Sequence, residues 1–227
     1  MSSWIAKVTD LERRGDVFIA ANRVVGPHER LFGGLIAAQA LAAAGRTVER
    51  DKLPQSLHLY FVRSGEYGVD VQLEVERTRD GKSFDTRRVT AIQHGKTILE
   101  LIASFHRPEP SADWQPPNEL VLALADGVPK APDISFADNF EFRASPDDAS
   151  IFLVPPFWIR TRDVIEDDPL IRACALTFYP TSGRSPSRGR QAWTASTGLR
   201  SRRASTTRSG SIGRSSRTSG TSTTCVR

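Results

Sequence analysis

Leu31-Phe32-Gly33-Gly34-Leu35-Ile36-Ala37-Ala38-Gln39-Ala40-Leu41-Ala42-Ala43-Ala44-Gly45 is the stretch on which the fold turns. Gly34 to Ala44 are mostly strong helix formers with almost no polar face, and Gly45 is a good stop signal. A helix that is apolar all round has to be buried, so its flanks must supply the cover. Upstream, Val17, Phe18 and Ile19, with Val24-Val25, read as one strand closed by Gly26-Pro27. Downstream the period changes to two. Ser56 to Val62 sets Leu57, Leu59 and Phe61 against His58, Tyr60 and Val62, the pattern of a strand covered on both faces. Val69, Val71, Leu73 and Val75 alternate with Asp70, Gln72, Glu74 and Glu76, so that strand has one wet face. Asp80-Gly81 is a hairpin signal before Phe84 to Gln93, and His94-Gly95 plays the same part before Lys96 to His106. One strand, one buried helix and an antiparallel meander make an α+β layout in which the helix fills the apolar face of the sheet.

The 227 residues divide by texture. Residues 1–110 carry the pattern above. Residues 111–150 hold Trp114-Gln115-Pro116-Pro117, Pro129, Pro132 and Pro146, and read as a linker with one short helix near Glu119 to Ala125. Residues 151–178 look folded again, with Phe157-Trp158-Ile159 as a strand and Pro169 to Thr177 as an apolar segment. Residues 179–227 do not continue it. From Pro180 onward, 27 of 48 residues are Ser, Thr or Gly and only eight are hydrophobic, too few to offset chain entropy, so disorder is expected there. That segment also carries 10 Arg and no acid, while the residues before it are net negative, so the overall +5 belongs to the tail. Interleaved aromatics are lacking, which argues against a specific nucleic-acid partner. No apolar run approaches the roughly 18 residues of a membrane span, and the opening lacks an export signal, so the expectation is a cytoplasmic chain without a membrane partner. Cys174 and Cys225 stand far apart with no ligand-spaced neighbour, and neither a disulfide framework nor a metal site is expected.

Several stretches then carry a resemblance. Leu31-Phe32-Gly33-Gly34 with Gln39-Ala40-Leu41, Ser56-Leu57-His58-Leu59-Tyr60-Phe61-Val62-Arg63-Ser64-Gly65, Val75 to Phe84, Thr86-Arg87-Arg88-Val89 and Ala103-Ser104-Phe105 together resemble the type II acyl-CoA thioesterases, the TesB-type double hot-dog family. The resemblance covers about Phe18 to Pro108. It implies a hot-dog fold, a helix wrapped by antiparallel sheet and repeated twice per chain, and hydrolysis of a fatty acyl-CoA thioester to free acid and CoA. It also implies no cofactor: an Asp, a Thr and a Gln of the second unit activate a water, with N–H groups steadying the oxyanion. The Asp belongs to a Leu-Ser-Asp motif after an apolar helix. Here that helix is followed by Tyr179-Pro180-Thr181-Ser182-Gly183, and no acidic residue occurs after Asp168. No catalytic residue can be carried over.

A change of reading frame accounts for this. Tyr179 to Gly183, back-translated with G/C-rich codons and read from each third base, gives Ser-Asp-Ile-Gly. Ala204 to Ser215 in the same frame gives Leu-Asp-His-Ser-Val-Trp-Phe-His-Arg-Pro-Phe, a motif of the family's form, and Arg217 to Val226 gives Asp-Glu-Trp-His-Leu-Tyr-Asp-Val-Arg.

The substrate-binding candidates are Gly33, Gly34, Gln39, His58 and Arg79. Gly33 and Gly34 stand at a helix start, where small residues let a thioester carbonyl approach backbone N–H groups. Gln39 reads first as a packing or capping partner, and His58 as a ring satisfied by neighbouring backbone or carboxylate. Arg77, Thr78 and Arg79, with Arg87 and Arg88, read as a solvated sheet face beside Glu74 and Glu76, with CoA phosphates as the alternative. A single unit without its in-chain partner leaves a sheet edge open, which favours a homo-oligomer.

Overall fold

The computed structural model describes residues 2–23, 30–110, 127–130, 136–144, 146 and 157–179, and the backbone of 193–195 and 223–226. Val24-Val25, Gly26-Pro27 and the short helix expected near 119–125 lie outside these residues.

The central helix α2 (Gly33–Gly45) follows a short helix, α1 (Trp4–Val8), and two strands, β1 (Glu12–Arg14) and β2 (Val17–Ala20). Gly34 to Ala44 are buried without exception, as an apolar helix requires, and its alanines let the strands approach closely. The meander is β3 (Leu53–Phe61), β4 (Val71–Asp80), β5 (Phe84–Gln93) and β6 (Lys96–His106). Hairpins at Asp80-Gly81 and His94-Gly95 join β4 to β5 and β5 to β6, as expected. At the second, His94 (φ 49°) and Gly95 (φ 68°) both take the left-handed backbone of a tight hairpin turn. The strands lie in the order β1-β2-β4-β5-β6-β3, all neighbours antiparallel, so β3 returns beside the last strand rather than the next one. Leu57, Leu59, Leu73, Val75, Val89, Ala91, Leu101, Ala103 and Phe105 face inward and pack with α2 in one core.

The expectation that β3 is covered on both faces fails. Leu57 and Leu59 are buried, but Tyr60 is 53% exposed and His58 is half-buried. Both stand on the outer sheet face, away from α2, where only the inward half of the alternation finds a packing partner.

Past residue 126 the structure departs from the linker reading. Short strands β7 (Val128–Lys130) and β8 (Phe140–Ala144) flank a 3-10 turn at Ala137–Asn139, and β8 pairs with β9 (Phe157–Thr161) in a second sheet. Phe140, Phe142 and Ala144 are buried, so this part of the proline-rich stretch is core. The apolar segment after it is α3 (Pro169–Phe178). Pro169 sits at its first position, and the Asp168 carboxylate accepts N–H groups from Leu170 and Ile171. α3 lies against α2, so closely that a Cβ on Gly45 would come within 2.4 Å of the Leu170 side chain. Trp4, Phe32, Phe136, Phe140 and Phe178 stack into one aromatic cluster across both parts.

Tyr179 caps α3 and is buried. In the stretch expected to be disordered, two segments form strands: β10 (Trp193–Ala195) on the free edge of β3, and β11 (Thr223–Val226) on that of β9. Both edges present unpaired backbone groups, and pairing with them requires no apolar side chains.

Candidate functional site

The entrance to α2 is built by backbone geometry. Leu35 and Ile36 both donate their N–H to the Phe32 carbonyl, and among the described residues the N–H groups of Gly33 and Gly34 have no partner. Among the described residues the helix dipole therefore ends in two N–H groups without a partner, that of Gly33 beside the chain surface and that of Gly34 buried, and such an end attracts partial negative charge. Beside it the chain leaving β3 is strapped down. Leu31 N–H donates to the Gly65 carbonyl at 2.8 Å, while the buried Gln93 takes the Glu66 N–H and donates to the carbonyls of Glu66 and Val69. The Phe32 N–H donates to the Tyr67 hydroxyl at 3.2 Å. Burial pushes the Tyr67 phenol above its ordinary range against this opposing bond, so it keeps its proton.

Between helix start and strap lies an open groove of about 350 Å³, walled by Arg30, Gly33, Phe61, Arg63, Ser64 and Ile98. The ring of Phe61, 43% exposed, lies on Gly33, where a Cβ would meet it at 3.0 Å. A side chain at this position would require the ring to give way by a few tenths of an ångström. Arg63 is steadied by its bond to the Thr97 carbonyl and leaves a cationic rim on the groove.

The five candidates do not converge. Gly33 borders the groove and Gly34 is buried just inside the helix. Gln39 is buried deeper, donating to the Val8 carbonyl (2.9 Å) and Asn22 Oδ1 (2.8 Å), which is the packing role expected of it. His58 makes no hydrogen bond to a described residue; its ring meets Tyr60 edge-on at 4.7 Å on the outer sheet face. Among the described residues the expected satisfaction by backbone or carboxylate has no partner, and the register partner of His58 on β6 is the apolar Ile102. Arg79 pairs in register with Thr86 near the β4–β5 hairpin, beside the C-terminal end of α2. The helix is about 20 Å long, so Arg79 and Gly33 stand at opposite ends of it.

That far end holds a network the alternation hides. Arg87 is fully buried, contrary to its reading as part of a solvated face, while Arg77, Thr78, Arg79 and Arg88 are exposed, Arg88 toward Glu76 and Glu100. Inward-facing positions of β5 are Asp85, Arg87, Val89 and Ala91, so two charges of opposite sign enter together. Arg87 donates to Thr47 Oγ1, to the carbonyls of Thr47, Arg79 and Thr86, and to the Asp80 carboxylate. Asp85 accepts from Lys52 at 2.7 Å and from Gly81 N–H. Burial pushes the Asp85 carboxyl up, but these donors outweigh it and hold it below the ordinary range. Arg87, Asp80, Asp85 and Lys52 are paired with one another, which marks a clamp between the segment after α2 and the β4–β5 hairpin. Cys174 is inert: burial pushes its thiol up to about 12. Among the described residues no three His, Cys, Asp or Glu side chains come together to hold a metal ion, and no helix is long and apolar enough to cross a membrane.

A buried helix wrapped by an antiparallel meander, open at the helix entrance, is the hot-dog architecture. The structure of a hot-dog protein from Alicyclobacillus acidocaldarius, 19% identical, superposes with a TM-score of 0.61 over 82% of this chain and 75% of that one. Closer in sequence is the acyl-CoA thioesterase II of Mycobacterium marinum, 33% identical with a TM-score of 0.60 over 78% of this chain and 66% of the other. Residues 24–106 match the acyl-CoA thioesterase N-terminal domain. Acyl-coenzyme A thioesterase 8 of Rattus norvegicus is 34% identical over 191 residues, 72% of this chain and 60% of the relative. Acyl-CoA thioesterase 2 of Haemophilus influenzae is 28% identical over 201 residues, 77% of this chain and 66% of its own. The chain belongs to the TesB-type acyl-CoA thioesterase family, and it spans about 60% of the length of the first of these relatives.

Proposed function

We propose that this chain binds the acyl-CoA thioesters on which its family acts, at the groove beside the α2 entrance, and does not hydrolyse them. The observation that carries the first half is the Gly33 N–H, without a partner among the described residues and at the groove wall, next to the cationic rim of Arg30 and Arg63. A thioester carbonyl suits the former and CoA phosphates the latter. The second half rests on the sequence: past Asp168 there is no carboxylate to activate a water, and the family's Asp, Thr and Gln have no counterpart. The reading keeps family chemistry, water attack on the thioester without metal or covalent intermediate, as the ancestral activity, and a frame change after Phe178 as its loss. The partly covered β3 edge makes a homo-oligomer the expected state, and the chain is read as cytoplasmic.

Two assays test this. Titration of the purified chain with a non-hydrolysable acyl-CoA is expected to release or absorb heat with saturation; no binding would leave an inert product. Shifting the frame after Phe178 so that Leu-Ser-Asp returns is expected to raise palmitoyl-CoA hydrolysis at least about a thousandfold over the present chain. Enzyme-like turnover by the unmodified chain would overturn the proposal.

A further inference from the structure

Gln39 is the one polar side chain between Gly34 and Ala44, and it is 3% exposed. Its amide orientation is fixed from outside. The Val8 carbonyl, at the C-terminal end of α1, can only accept, so the atom 2.9 Å from it must be the amide nitrogen. The same nitrogen donates to Asn22 Oδ1, which in turn fixes the Asn22 amide. Each side chain then turns one further atom into the interior: Gln39 Oε1, an acceptor, and Asn22 Nδ2, a donor. Both are buried, and both lack a hydrogen-bond partner. Flipping either amide alone would set like atoms against each other, and flipping both would point Gln39 Oε1 at the Val8 carbonyl.

We infer that Gln39 Oε1 and Asn22 Nδ2 form a binding site for a single internal water, which donates to the first and accepts from the second. An unmade hydrogen bond at a buried amide is costly, whereas one water satisfies an acceptor and a donor at once. With their inner atoms joined at 2.8 Å, the two open atoms lie no more than about 7 Å apart and have no bond to each other, and one water making two ordinary hydrogen bonds spans up to about 6 Å of that range. The site is also immobile. Asn22 is held by its N–H to the Ala20 carbonyl and by Gly68 N–H on its own carbonyl, and Gln39 by its helix. The water therefore ties together three elements that share no strand pairing: the end of α1, the end of β2 and the middle of α2. This goes beyond acyl-CoA binding and does not depend on it.

A crystal structure of the full chain showing ordered waters tests the inference. Density for one water at about 2.8–3.0 Å from both atoms is the expected result. A direct Gln39–Asn22 bond through these atoms, a protein group in that position, or an empty site would overturn it. In solution, the Gln39 side-chain amide protons are expected to show a cross-relaxation peak to a long-lived water that is lost in Asn22→Ala. Persistence of that peak in the variant would equally overturn the bridge, and if Asn22→Ala fails to fold, the density in the unaltered chain decides.

Discussion

The two sheets of this protein are stabilised in different ways. In the first, β3 to β6 run nine to eleven residues each, and β4, β5 and β6 are joined by tight hairpins around a helix they bury completely. In the second, β7, β8 and β9 are three to five residues long, are not joined by tight hairpins, and rely on packing against the first unit for their core. Where contacts are local, a strand specifies its own neighbour. Where they are not, a strand persists only because another part of the chain already offers it a surface. The first unit is thus the scaffold and the second an addition that depends on it.

The sharpest way to break this comparison is at the buried clamp of the scaffold. Replacing Arg87 by Met takes the donor away from the Thr47 and Arg79 carbonyls and leaves Asp85 with only Lys52 and the Gly81 N–H, and is expected to cost about 3–5 kcal/mol in urea unfolding of the whole chain. A loss under 1 kcal/mol would show that the hairpin is not held by its charges. Next comes the seam between the two parts. Gly45→Val forces the Leu170 side chain away from α2 and is expected to cost about 1–3 kcal/mol, felt as faster proteolysis within 157–179 while cleavage within 53–106 is unchanged.

A smaller effect is expected where the N-terminus is tied to the second part. Ser3 donates both its N–H and its hydroxyl to Glu166 at 2.6 Å. Burial pushes that carboxyl up, but the two Ser3 donors prevail and hold it below its ordinary 4.5. A carboxyl lowered on folding contributes stability above its unfolded value and loses it as pH falls through the folded one. The docking of α1 is therefore expected to weaken on acidification from about pH 5 downward, and Glu166→Gln, costing about 1–2 kcal/mol at neutral pH, is expected to flatten this part of the pH profile. An unchanged profile would mean that the tie is not Glu166. The smallest effects separate the two ends of α2. Arg63→Ala is expected to weaken binding of a non-hydrolysable acyl-CoA about three- to tenfold, and Arg79→Ala less than about twofold, by calorimetric titration. A reversed order would move the ligand to the hairpin end.

The scaffold was legible in the sequence because its signals are short-range. The apolar run of α2, the alternation of β4 and the turns at Asp80-Gly81 and His94-Gly95 each reflect neighbours along the chain. β8 was not legible: Phe140 to Ala144 is five residues among prolines, too short to show a period. Arg87 was misread because charged residues are ordinarily outside; the clue was Asp85 at the same parity, two charges of opposite sign on an otherwise apolar face. Gln93, which straps the groove loop, had only its buried parity to mark it. Of the candidate site, the glycines were readable as a helix entrance, but the walls at Phe61 and Arg63 were not.

The sequence by itself determined that a wholly apolar helix would be wrapped by a meander, since nothing else in the chain can cover it, and that no carboxylate follows Asp168. Only the tertiary structure decided which strand lies beside which, that Arg79 and Gly33 sit at opposite ends of the helix, and that Arg87 is buried. Those facts depend on register and crossing between distant segments, where the energy resides in contacts that no local period encodes.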